Sequence, residues 1–157
     1  MNNKGVTLIE AIVVLGLIGI VVVSLVQLNL AFSHSVSSES LIVRANAVAV
    51  ETLEAVRILR DKNWNNLSNL TVNTPYYLSF SEGQNDWSIE NSEPNKIQNI
   101  FSKSFIVYSV YRDLSTGKIV SSGGSIDSNT LKIEAVVSWN DRGRDKNIKL
   151  TTFLTNF

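Results

Sequence analysis

The chain opens MNNKGVTLIEAIVVLGLIGIVVVSLVQ (residues 1–27), and the reading of this stretch decides the fold. From Val6 to Phe32 the run is predominantly apolar, diluted by Thr7, Glu10, Ser24, Gln27 and Asn29, and between Glu10 and Glu39 there is no Asp, Glu, Lys or Arg. A helix that spans a bilayer needs about 20 mostly apolar residues, and this run supplies them. Glu10 is out of place in it. An acid at the centre of a membrane helix costs about 2.5–3.5 kcal/mol and less towards the end.

Two ordinary accounts leave that residue without a purpose. A cleaved secretory signal joins a basic start to an apolar core of about 7–15 residues and a small-residue cleavage site. Here the core from Ala11 to Val26 is slightly long, no convincing A-x-A follows it, and an acid precedes it. A single-pass anchor explains the length but not Glu10. Composition narrows the remainder: 157 residues suffice for one domain with a core beside a membrane segment. The 14 Lys and Arg balance the 14 Asp and Glu, so there is no basic field to draw nucleic acid. The absence of cysteine removes disulfides, thiolate nucleophiles, cysteine metal sites and a lipoprotein anchor together.

Gly5-Val6-Thr7-Leu8-Ile9-Glu10, behind a short leader with Lys4 and ahead of the apolar run, resembles the type IV prepilin signature, usually G-F-T-L-I-E. Val6 is the one departure, standing where phenylalanine is commonest. The resemblance implies a cut between Gly5 and Val6 by the prepilin peptidase on the cytoplasmic side, then methylation of the new N-terminus. It implies a single-pass protein of the plasma (inner) membrane before assembly and an extracellular filament afterwards. The implied partners are other pilin subunits, the prepilin peptidase/methyltransferase, the pilus assembly platform and the plasma membrane, with no nucleic acid. It also gives Glu10 an assembly role. In a bundle of parallel, staggered helices a carboxylate is costly unless a neighbour's Val6 amine lies opposite it, so Glu10 penalises the wrong stagger. Type II secretion and competence pseudopilins share the signature. The chain has neither a proline in the apolar helix nor the C-terminal cysteine pair of many major pilins, which points to a minor subunit, and RILRDKNWNNL (57–67) is similar to the helix end of PilV-like minor pilins, which points to a pilus. A membrane-anchored binding module is the further alternative.

Downstream, FSHSVSSES (32–40) is rich in serine and poor in helix propensity. LIVRANAVAVETLEAVRILRDKN (41–63) restores a helical period, with Ile42, Ala45, Val48, Ala49, Leu53, Val56 and Leu59 on one stripe and Arg44, Glu51, Glu54 and Arg57 off it. Glu54 with Arg57, and Arg57 with Asp61, have ion-pair spacing; Arg60 falls within the stripe and is expected to reach past the packed part. Joined, the two segments give one helix from Val6 to Lys62, about 85 Å long. Asn63, Asn65 and Asn66 around Trp64 read as its stop, since asparagine tolerates the left-handed conformation.

Beyond residue 66 the period becomes two. Strands are expected over 101–113, over 130–140 with Leu131, Ile133, Ala135, Val137 and Trp139 inward, and over 147–157 with Ile148, Leu150, Thr152 and Leu154 on one face. NDRGRDKN joins the last two as a hairpin, LSTGK turns the first towards 118–122, and shorter candidates lie at 76–80 and 86–90. The loop 81–99, with Pro94, reads as an exposed region. The expected class is α+β: a leader over 1–5, an apolar helix over 6–32, its amphipathic continuation over 33–63, and an antiparallel sheet over 64–157 packed against it.

Catalysis needs converging groups, and few are offered. His34 is the only histidine and lies among serines at the membrane boundary, which suits a solvated ring better than a base or ligand. Gly123-Gly124 lacks the lysine and spacing of a phosphate loop and reads as a turn. Asp141, Arg142, Arg144 and Asp145 lack the regular oxygen spacing of a calcium loop and read as a solvated hairpin tip. Asn66-Leu-Ser68 and Asn69-Leu-Thr71 are formal glycosylation triplets of a kind that arises often by chance. The tryptophans and tyrosines are scattered through alternating patterns, which favours core packing over an aromatic binding platform. No catalytic, metal or cofactor-binding residue is expected; the site residues are Gly5 and Val6 for processing and Glu10 for assembly.

Overall fold

With no proline before residue 75, nothing breaks helical hydrogen bonding in the N-terminal third. A computed structural model, which describes residues 7–83, 85–94 and 96–156, shows one helix there, α1 (Leu8–Lys62). The serine-rich 32–40 is helical throughout, since the few tenths of a kcal/mol that each serine loses do not end a helix. Contacts divide the chain into two units between Leu41 and Ile42.

In the second unit, α1 buries Ala45, Ala49, Thr52, Leu53, Ala55, Val56 and Leu59. The stripe read from the sequence is therefore right at Ala45, Ala49, Leu53, Val56 and Leu59 and wrong at Ile42, which is 38% exposed. Thr52 and Ala55 widen it. Thr52 can be buried because its hydroxyl donates to the Val48 carbonyl at 2.8 Å. Arg57 pairs with Glu54 as the spacing suggested, but Asp61 takes Arg60 at 2.7 Å. The helix stop also differs from expectation: neither Asn63, Asn65 nor Asn66 has positive φ. Instead Asn63 Oδ1 accepts the Asn65 N–H at 2.9 Å and Asn66 Nδ2 donates to the Leu59 carbonyl at 2.9 Å, so side-chain amides satisfy the helix end and start the short α2 (Asn65–Ser68).

Among the described residues six strands follow: β1 (Pro75–Ser81), β2 (Asp86–Glu90), β3 (Ser102–Arg112), β4 (Ile119–Val120), β5 (Ser125–Asp141) and β6 (Arg144–Thr155). They form an antiparallel sheet in the order β2-β1-β3-β5-β6, with β4 on β3. β5 starts earlier than its alternation indicated, because a register shift lets Ser109 face Leu131 while Val110 faces Asp127. The β5–β6 strands run through most of NDRGRDKN, leaving only Arg142 (φ 54°) and Gly143 (φ 80°) as a two-residue turn with both φ positive. Leu131, Ile133, Ala135 and Leu154 face inward as expected and pack with Phe105 and Val107 of β3 and with Leu53, Val56 and Leu59 of α1.

One charge enters this face. Lys103 on β3 is 9% exposed, its Nζ lying 2.9 Å from Glu51 of α1 and 4.8 Å from the centre of the Trp87 ring. Burying an ammonium is costly unless it is paired, and here a carboxylate and an aromatic face share it. The C-terminal part of the long helix packed on an antiparallel sheet is the α+β class expected from periodicity.

Candidate functional site

Gly5 and Val6 lie outside the described residues, so the site begins at Thr7. Thr7 caps α1: its Oγ1 accepts the Glu10 N–H at 3.3 Å, and its carbonyl accepts the Ala11 N–H at 3.1 Å. Glu10 thereby falls in the first helical turn, exposed, where the unpaired N–H groups of the helix end favour a negative charge. Thr7 is not among the site residues expected from the sequence, although T-x-x-E ahead of an apolar run is a legible helix start.

Every residue from Thr7 to Ser37 is exposed, including Leu8, Ile12, Leu15, Leu25 and Leu30. An 18-residue window of this helix has a mean hydropathy of 2.8 with none of it buried, so it is long and apolar enough to cross a membrane. Ser24 is accommodated there by donating its hydroxyl to the Ile20 carbonyl at 2.8 Å. An apolar surface of this extent is unstable against water and needs lipid or other protein around it.

Elsewhere the structure turns the candidate groups on one another. Asp141 lies 2.7 Å from Lys146, and Asp145 accepts from Asn140 Nδ2 at 2.8 Å, so both carboxylates of the hairpin tip are engaged. Among the described residues no three His, Asp or Glu side chains gather to hold a metal. His34 is exposed on α1. The Asn66 amide is tied to the end of α1. Tyr76 and Trp139 are buried, as core packing required, whereas Tyr108 and Tyr111 line a cleft of about 400 Å³ with Ile119, Val120, Lys132 and Phe153. Beside it Glu134 accepts from Lys149 at 3.0 Å and from the Tyr108 hydroxyl at 3.4 Å. Burial, and then the Glu134 charge, raises the Tyr108 pKa, while Glu134 holds Lys149 above its usual value. This is an ion network that braces the sheet, and its members hold one another's charges.

Among the described residues the N-terminal end thus holds a cap, an acid in the first turn and an apolar helix in which no residue from Thr7 to Ser37 is buried. No curated protein and no solved structure matches the chain. Residues 1–26 match the family model of the prokaryotic N-terminal methylation motif, which supports the type IV prepilin and pseudopilin family for this chain.

Proposed function

We propose that the chain is a structural subunit, most like a PilV-like minor pilin, of a type IV pilus or related filament. In this reading residues 1–5 are removed between Gly5 and Val6, the apolar helix over 6–32 holds the chain in the plasma membrane and then packs among other subunits, and Glu10 sets the stagger. The sheet region over 64–157 stays outside the membrane, and the assembled filament is extracellular. The observation that carries the reading is the methylation motif at residues 1–26 running directly into an apolar helix with none of its hydrophobic window buried. A type II secretion or competence pseudopilin rests on the same motif, and the filament in which the chain is recovered separates the two.

The test is intact-mass analysis of full-length protein co-expressed with a prepilin peptidase. The expected product starts at Val6 and carries one added methyl group. A glycine at the cut lets the backbone enter the peptidase closely, and Lys4 keeps the leader cytoplasmic. An unshortened chain, as a membrane-anchored binding module requires, or one cut beyond Ser24, removes the reading.

A further inference from the structure

The order β2-β1-β3-β5-β6 leaves β2 and β6 each with one edge that no described strand pairs. The two edges carry opposite charge. The segment 81–94 around β2 holds Glu82, Asp86, Glu90 and Glu93 and no Lys or Arg. The segment 142–156 around β6 holds Arg142, Arg144, Lys146 and Lys149 against Asp145 alone. Some of these charges are used internally: Asp86 with Lys62, Lys146 with Asp141, Lys149 with Glu134. Glu82, Glu90 and Glu93 on one edge, and Arg142 and Arg144 on the other, are exposed and form no ion pair among the described residues.

Charges on open edges ordinarily keep sheets from pairing. Equal signs on the two edges serve that purpose, because like charges repel a second copy. Opposite signs at opposite edges do the reverse and attract a second copy head to tail. Strand direction allows it: four antiparallel steps separate β2 from β6, so the two run the same way, and a copy shifted along the sheet brings β6 beside β2 without being turned over.

We propose that the β6 edge of one copy meets the β2 edge of the next in a charge-complementary contact. Such a contact joins two different surfaces, does not close on itself and propagates as an open series. It deepens the filament reading and rests on it for the alignment of the copies. Exposed ion pairs are individually weak, so the contact selects neighbour and orientation more than it supplies affinity.

The chain has no cysteine, so introduced thiols report one contact at a time. Ser88→Cys on β2 and Asn147→Cys on β6, both exposed, are placed together in the full-length chain. Membranes and sheared filaments are then oxidised. The double variant is expected to give a ladder of dimers, trimers and higher species, and each single variant none. Arg142→Glu with Arg144→Glu lowers the ladder about tenfold, as does Glu82→Lys with Glu90→Lys, and the two reversals combined restore it. Raised salt weakens it. A ladder indifferent to both reversals, dimers from a single variant at comparable yield, or no ladder overturns the contact. A chain that starts at Val6 and enters filaments without a ladder overturns the contact and leaves the filament reading. A ladder from unprocessed chain in the membrane does the opposite.

Discussion

Glu10 has a local reason to be tolerated before any neighbour is considered. In the first turn of α1, held by the bond from its N–H to Thr7, a negative charge gains about 0.3–1 kcal/mol from the helix end. That gain is small, and Thr7 already caps the turn, so the helix start alone does not call for an acid here. The proposed assembly role does call for one, because only a negative charge can neutralise a neighbour's Val6 amine. Glu10→Val is therefore expected to leave insertion and cleavage largely intact, making the helix more apolar, while sharply reducing the processed subunit found in sheared filaments by immunoblot. Processed Glu10→Val protein at wild-type level in that fraction removes the assembly role. Thr7→Ala is expected to cost about 1 kcal/mol at the helix start, with Thr7→Ser restoring it. Hydrogen exchange of the Leu8–Ala11 amides in micelles reads that change.

At the level of elements, the connections are fixed by a few residues whose neighbours explain them. In the β3–β4 turn, Asp113 Oδ1 accepts from the Ser115 hydroxyl at 2.6 Å and from the Ser115 and Thr116 N–H groups at 2.7 and 2.9 Å. These bonds, the Ser115 hydroxyl foremost, lower its pKa from 3.8 to about 2. A lowered carboxyl pKa contributes stability above the unfolded value, and that stability is lost as pH falls through the folded one. The turn should therefore loosen between about pH 4 and pH 2. Asp113→Asn should flatten this part of a melting-temperature profile; an unchanged slope excludes Asp113 as its source. Gly124, between β4 and β5, is needed for space: a Cβ there meets the Arg112 carbonyl oxygen at 2.7 Å and Val120 Cγ2 at 2.8 Å. Because the first of these atoms is backbone, Gly124→Ala should lower stability by about 1–3 kcal/mol in denaturant titration.

Taken whole, the molecule divides at residues 41/42, and among the described residues every buried hydrophobic one lies in the second unit. A fragment beginning at Ser33 is therefore expected to be soluble, folded and largely monomeric, to be indifferent to chelators and to fail in filament assembly. Circular dichroism with and without chelator, and sedimentation, check this. Loss of structure on chelation points to metal at the acidic hairpin.

Local pattern by itself determined the elements and the N-terminal signature. The charge-free run after Glu10, the helical period over 41–63 and the alternation over 130–140 each repeat a signal along many residues, and each appears in the structure as the helix or strand it indicated. Where a single residue depended on its neighbours in space, sequence was a poor guide. Thr52 is buried through a bond to its own helix, Asp61 chooses Arg60 over Arg57, and asparagine amides end α1 where a left-handed turn was expected. Strand order, the register shift opposite Ser109 and the opposite charges at the two sheet edges belong wholly to the tertiary structure. Periodicity fixes which face of a strand is buried, but pairing is set by contacts among residues far apart in the chain, and those carry no local pattern.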